Sequence, residues 1–271
     1  MQKNPIPSEP VEVLARYRGR NQVLAIAAGG ICIAMATVLS LFKLFEMPQG
    51  GSITPASMLP IILYALCFGP VWGVGVGLVY GLIQFILEPY FLTPVQMMLD
   101  YFAAFGLLGL AGLFAERRSE RMAQPRILKR LAVLPFWRVV MAAVVGVAGR
   151  LAAAFTAGVV FYAEYAPAGQ SPAVYSLIYN GSYLLPETVI TIIILAAMAA
   201  IFRRSALPAW HFLIATVFPP AGLVLGLVRI SKGDAESVDE GRWLTIYSFL
   251  FLFLWVIAIL LYSYNKGLLG G

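Results

Sequence analysis

Charge is scarce in this chain. Asp, Glu, Lys and Arg make up 12% of its 271 residues, about half the share that covers the surface of a soluble domain. Histidine occurs once and cysteine twice, too few for a Cys/His metal site or a disulfide framework. The motifs of self-contained chemistry are missing too. There is no Gly-x4-Gly-Lys-Ser/Thr phosphate loop, no Gly-x-Ser-x-Gly elbow and no His-Glu-x-x-His pair. The chain therefore reads as non-enzymatic, without a cofactor, and unable to couple to ATP alone.

Apolar residues fill the space that charge leaves. They are 61% of the chain, with a mean hydropathy of +0.84, and they fall in long blocks. About 20 apolar residues cross a hydrocarbon core ~30 Å thick. Without water in that core, each span must satisfy its own backbone, as a helix or within a closed barrel. The period-two alternation of barrel strands is absent, so the predicted fold is all-α and polytopic. Six spans are expected: Val23–Phe45, Met58–Phe68 (short for a full crossing), Val71–Leu87, Thr93–Phe114, Phe136–Phe161 and Tyr175–Phe202. Two further apolar stretches, Trp210–Val228 and Trp243–Tyr262, are joined by a charged segment from Arg229 to Arg242. This divides the chain into a cytoplasmic segment (1–20), a six-helix membrane domain (21–204) and a two-helix extension (205–271). The first apolar run is too long for a signal-peptide core and reads as a retained span. No repeat array is visible.

Basic residues set the orientation. Lys3, Arg16, Arg18 and Arg20 precede the first span. Arg117, Arg118, Arg121, Arg126, Lys129, Arg130 and Arg138 lie between the fourth and fifth spans, and Arg203 and Arg204 follow the sixth. The opposite loops (46–57, 88–93 and 162–174) hold no Lys or Arg. The positive-inside rule puts the N-terminus and the basic loops in the cytoplasm of a multi-pass plasma-membrane protein. That topology accounts for the cluster at 115–138 without nucleic acid. Cys32 and Cys67 lie in apolar spans and read as packing residues. His211, alone at the edge of the seventh stretch, makes no metal site.

Ionisable groups at membrane depth are costly, so they face a cavity or a partner. Asp100 lies in the fourth span beside Tyr101, Arg150 in the fifth, and Glu187 in the sixth after Pro186. Two readings stand. Arg150 pairs structurally with one carboxylate, or a carboxylate faces an outward cavity and meets a cationic ligand. The outward half is rich in aromatics and amides, including Gln84, Tyr90, Gln96, Tyr162 and Tyr165, and part of this is an interfacial aromatic belt. The segment from Tyr175 to Tyr183 is more polar than a belt. Tyr175, Tyr179 and Tyr183 recur every four residues and share a helix face, with Asn180 beside them. Aromatic faces and a carboxylate suit a flat cationic heterocycle. Amides and phenol hydroxyls can read ring nitrogens and an exocyclic amine.

Three ordered segments carry a family resemblance. Met47-Pro-Gln-Gly-Gly-Ser-Ile-Thr54 with Ser57-Met-Leu-Pro-Ile61 resembles the first outer loop of the thiamine-specific S components of energy-coupling factor (ECF) transporters. Leu99-Asp-Tyr-Phe-Ala-Ala-Phe105 resembles their fourth helix, and Tyr175 to Glu187 their sixth-helix signature. The resemblance covers residues ~20–204 and implies a six-helix fold that holds the vitamin near the extracellular face under the first outer loop. It implies Asp100 near the thiazolium, with Tyr101 on the same wall. Tyr175 and Asn180 would hydrogen-bond or stack on the pyrimidine end; Tyr179, Gln84 and Glu187 are further candidate substrate-binding residues. Gln49, Gly50, Gly51 and Ser52 would act as a lid. It also implies a membrane scaffold (the T component) and two ATPase subunits as partners.

There are departures from the family pattern. In Arg150-Leu-Ala-Ala-Ala154, alanine stands where the family often has histidine. The site carboxylate is Asp rather than Glu. Ligand-sandwiching tryptophans are not evident, and Tyr162 is the candidate for one such role. A related heterocycle, such as a thiamine precursor, is the alternative ligand. A self-sufficient secondary transporter is the alternative mechanism, although the paired broken helices of inverted repeats are not seen. On the first span, Ala27, Gly30 and Ala34, with Cys32 and Ala36 nearby, are small residues spaced for close helix approach. They serve either scaffold docking, with Gly30 and Ala34 central, or packing inside the bundle.

Overall fold

A computed structural model describes residues 10–124, 126–204, 207 and 209–265. Lys3 and parts of the 1–20 and 205–271 segments lie outside the described residues. The protein is a helical membrane bundle. Helix α1 (Pro10–Ser40) is followed by a two-stranded ribbon, β1 (Phe45–Glu46) and β2 (Ser52–Ile53), then α2 (Leu59–Phe68) and α3 (Pro70–Leu87). The next crossing, α4, runs from Pro94 to Phe114. Two short helices, α5 (Arg118–Ala123) and α6 (Ile127–Ala132), lead to α7 (Phe136–Phe161) and α8 (Pro172–Arg204). Helices α9 (Ala209–Val217), α10 (Pro219–Ile230) and α11 (Ala235–Asn265) complete the described chain.

Several boundaries differ from expectation, each for a physical reason. The first span stops at Ser40, not Phe45: Phe45 enters the ribbon and pairs with Ile53. Lys43 therefore sits outside the helix, and the cavity end of the bundle does carry one basic residue there. Helix α2 has only 10 residues, about 15 Å at helical rise. It does not cross alone, and the segment 41–58 descends into the bundle to meet it. Irregular backbone at that depth is tolerated where it lines a cavity, and here Thr54 and Ser57 are buried. The stretch Trp210–Val228 breaks at Phe218, because Pro219 and Pro220 have no N–H to continue the ladder. The charged joint beyond it is shorter than Arg229–Arg242, since α11 already begins at Ala235. Six described helices are long and apolar enough to cross a membrane, and they include α11 but not α2.

The extension packs as a unit. Arg229 pairs with Glu240 at 2.6 Å, Thr216 and Tyr247 share a hydrogen bond of 2.8 Å, and the Trp255 indole donates to the Thr216 carbonyl at 3.0 Å. It meets the bundle at both ends, through Phe202 against Phe212 (4.8 Å) and Phe42 against Trp255 (4.9 Å). At the basic end, part of the cluster is structural. Arg203 donates to the carbonyls of Ala132 and Leu134, and Arg130 to that of Cys67.

A glycine stripe sets how closely α3 and α4 approach. Gly73, Gly77 and Gly81 on α3 face α4, where Gly109 and Gly112 reciprocate. A Cβ at Gly77 would overlap the Phe105 carbonyl, and one at Gly81 the Tyr101 carbonyl. Small residues at this spacing let backbones touch in lipid. Gly77→Val is expected to destabilise the protein by overpacking, about 1–3 kcal/mol, read as a lowered thermal midpoint in detergent. Gly75→Val, where an added Cβ meets nothing within 4 Å, should leave the midpoint unchanged. Equal midpoints for both variants would contradict this account of the stripe.

Candidate ligand-binding site

A cavity of about 480 Å³ opens at the end of the bundle opposite the basic loop, within the size range of small-molecule sites. All eight side chains expected to face a ligand border it: Asp100, Tyr101, Tyr175, Asn180, Tyr162, Tyr179, Gln84 and Glu187. The four positions expected to act as a lid, Gln49, Gly50, Gly51 and Ser52, border it as well. Gly30 and Ala34 do not; they lie exposed on the outer face of α1, with nothing within 4 Å of a Cβ placed at Gly30. Their neighbour Ala36 is buried and so belongs to the internal face.

Asp100 lies on a π-helical turn, Met98–Ala103, inside α4. Such turns insert an extra residue and re-aim side chains, often at functional sites. Gly81 of α3 backs this turn at the Tyr101 carbonyl. The Asp100 carboxylate accepts two hydrogen bonds on Oδ2, from the Gln96 amide at 2.6 Å and the Tyr162 hydroxyl at 2.9 Å. Among the described residues no basic side chain forms an ion pair with it. Gln96 is fully buried and also bonds the backbone of Tyr90 and Leu92, which fixes the loop before α4. Tyr101 donates to the Glu88 carbonyl at 2.8 Å and accepts from the Tyr90 amide at 2.9 Å. The ring of Tyr162 stacks on Tyr90 at 5.9 Å.

The opposite wall holds the ribbon. The Tyr179 hydroxyl accepts from the Gln49 and Gly51 amides at 3.1 and 3.2 Å, and Tyr175 reaches the Gln49 side chain at 3.4 Å. Gly51 packs so closely on the Tyr183 ring that a Cβ would sit 2.7 Å from it. Gly50 has φ +87°, a conformation that costs glycine nothing. Deeper down, Glu187 accepts from Thr54 at 2.5 Å and Ser57 at 2.9 Å, which ties the far limb of the same segment to α8. Gln84 donates to Ser40 at 2.9 Å. Asn180 is buried with its amide engaged internally: it donates to the Ser176 and Ala154 carbonyls and accepts from Tyr183.

Arg150 borders the cavity without pairing with Asp100 or Glu187; its guanidinium lies 4.4 Å over the Phe105 ring. At the mouth, Lys43 pairs with Glu46 at 2.8 Å and Glu88 at 2.7 Å. Burial alone would lower the pKa of this ammonium, but its hydrogen bonds to the two carboxylates raise it above the ordinary lysine value. Four carboxylates thus border the cavity against two basic groups, a balance that favours a cation. Thr54 and Ser57 lie in the loop motif and Gln96 among the outward amides without a role assigned to them by the sequence, and Lys43 is not singled out there at all. Gln96 had a legible signal, since it lies four residues before Asp100 and therefore on its helix face.

Among the described residues, no group of three or more His, Cys, Asp or Glu side chains is placed to hold a metal. Comparison with known proteins gives one consistent answer. A family model for thiamine transporter protein (Thia_YuaJ) matches residues 26–206. The thiamine transporter ThiT of Bacillus subtilis (strain 168) is 34% identical over 180 residues, covering 65% of this chain and 91% of that protein. The thiamine transporter ThiT of Lacticaseibacillus paracasei is 32% identical over 149 residues, covering 53% of this chain and 71% of the relative. A solved structure of ThiT from Listeria monocytogenes superposes with a TM-score of 0.54 at 25% identity, covering 66% of this chain and 95% of that one. The family match ends before α9, so the helices of the extension lie beyond it. Over the bundle that builds the cavity, this chain belongs to the thiamine transporter protein family of membrane transport proteins.

Proposed function

We propose that the chain is the substrate-binding subunit, the S component, of an ATP-driven ECF importer, and that it captures thiamine from the extracellular side of the plasma membrane. The observation that carries this reading is Asp100. A carboxylate held by two neutral donors, without a basic partner among the described residues, borders a tyrosine-walled cavity and calls for a cation. A thiazolium supplies a flat one, and the surrounding tyrosines supply stacking and cation–π attraction. The basic loops lie at the other end of the bundle, which supports a cytoplasmic N-terminus and an outward-facing cavity. The ribbon at Gln49–Ser52 is the lid, held shut by Tyr179 and released when those hydrogen bonds break.

The chain has no phosphate loop of its own, so import needs a membrane scaffold and two ATPase subunits. The exposed small-residue face at Ala27, Gly30 and Ala34 is the docking surface for that scaffold. Small residues at this spacing allow close helix contact in lipid.

Asp100→Asn is expected to cost ~1–3 kcal/mol, or about 5–150-fold in thiamine affinity, by removing the counter-charge of the cation. Titration of the purified variant checks this, and unchanged affinity contradicts the assignment. Replacing Gly30 and Ala34 together with leucine should abolish uptake in cells while thiamine binding by the purified subunit stays intact. Undiminished uptake would remove this face from the docking surface. Uptake that persists without any ATPase partner would replace the ECF reading with a secondary transporter.

A further inference from the structure

The extension, which lies beyond the matched family segment, reaches from the basic end of the bundle to the mouth of the cavity. Helices α9 and α10 have 9 and 12 residues, about 14 and 18 Å at helical rise, too short to cross ~30 Å of hydrocarbon. They fold back on each other. Arg229 Nη2 at the end of α10 lies 3.4 Å from His211 Nε2 near the start of α9, and a Cβ at Gly222 would meet Ala215. The pair is therefore a half-depth hairpin that returns to the end it started from. Polar groups at its tip are met within the protein. Pro219 and Pro220 have no N–H to satisfy, and the Phe218 amide donates to the Ile214 carbonyl at 2.7 Å. The Thr216 carbonyl accepts from the Trp255 indole at 3.0 Å, and that bond fixes the Trp255 ring. Trp255 lies 20 residues beyond Ala235, about 30 Å along α11, where its ring meets Phe42.

We propose that the extension is a brace on the hinge of the lid: Trp255 clamps Phe42 and so holds the ribbon over the cavity. The proposal rests on the thiamine and lid readings above. Leu41, Phe42 and Lys43 link the end of α1 to the ribbon, whose hydrogen bonding begins with the Leu44 amide on the Ile53 carbonyl at 2.8 Å. The hinge is tied on two sides. The Phe42 ring meets Trp255 edge-on, with centroids 4.9 Å apart and planes at 80°, an arrangement that ring quadrupoles favour. Lys43 pairs with Glu46 of the ribbon and with Glu88 just past α3. Trp255 is a firm support because the extension is stiff and anchored far from the mouth. Gly222 and Gly226 on α10 and Gly241 on α11 bring those two backbones together. Arg229 pairs with Glu240, and Arg204 at the end of α8 lies 4.8 Å over the Trp243 ring. Neither Phe42 nor Trp255 is among the described residues that border the cavity, so their effect on a ligand passes through the lid. The hinge swings outward when the contact breaks, and the contact thus adds to the barrier against ligand escape.

The test follows release of radiolabelled thiamine from purified full-length protein during a chase with unlabelled thiamine, a readout independent of Trp255 fluorescence. Phe42→Ala and Trp255→Ala should each speed release by about 2–10-fold, the range expected for an edge-to-face aromatic pair. Both remove the same contact, so the double variant should release no faster than the quicker single one. Phe42→Leu keeps an apolar side chain at the half-buried hinge and should also speed release; it carries the test if Trp255→Ala fails to fold. Ile259→Ala, on the exposed face of α11, should release at the wild-type rate. Folded variants with wild-type release, a double variant whose acceleration is the product of the two single ones, or an equal acceleration by Ile259→Ala would overturn the brace and leave the thiamine and lid readings intact. Tyr179→Phe removes the latch of the ribbon and should speed release too; no change there would overturn the lid and the brace together. Folded wild type that retains no labelled thiamine would overturn the thiamine reading itself.

Discussion

The buried carboxylate of Glu187 and the two hydroxyls it holds make the cavity possible. The chain between α1 and α2 leaves helical geometry while still inside the bundle, and a short α2 has to start from that depth. Backbone of this kind is stable in a membrane only if protein groups replace the missing water. Thr54 and Ser57 on Glu187 anchor one limb, and Tyr179 holds the ribbon tip by two main-chain amides. Both sets of contacts come from α8, so a single helix forms one wall of the cavity and holds the segment before α2 at two places. Pro186, just before Glu187, has no N–H to give the Ser182 carbonyl, which marks a point where this helix can bend.

The second support is the close seam between α3 and α4. Because glycines let the backbones touch there, the π-helical turn at Met98–Ala103 is held from behind at the Tyr101 carbonyl. Asp100 then faces the cavity from a rigid element, and Gln96 and Tyr162 orient its carboxylate. In the proposed role, a carboxylate held this way would need little reorganisation to meet a cation. The short helices at the other end are tied down by arginines bonded to main-chain carbonyls. Arginines of the basic loops thus also tie that end of the bundle together.

Much of this was legible in the amino-acid order, because lipid imposes simple rules. Long apolar blocks marked the crossings, and the rarity of charge in them made Asp100, Arg150 and Glu187 conspicuous. The tyrosines at 175, 179 and 183 announced a shared face by spacing alone. Other features were hidden. Leu41 to Phe45 are apolar enough to extend a helix, and only their pairing with Ile53 shows that they do not. A π-helical turn has no periodic signature within six residues. Arg150 invited pairing with a carboxylate, yet its guanidinium lies over Phe105, and Glu187 accepts from the hydroxyls of Thr54 and Ser57. The break at Phe218 was visible in the proline pair after it, but hydropathy masked it.

The most direct test of the central claim is to titrate thiamine into the subunit purified alone, following its tyrosine and tryptophan fluorescence. The cavity is bordered by seven tyrosines, so a ligand stacked among them should quench the signal. The account predicts saturable, sub-micromolar binding without any scaffold or ATPase present. Protein shown to be folded that gives no saturable change with thiamine would contradict it.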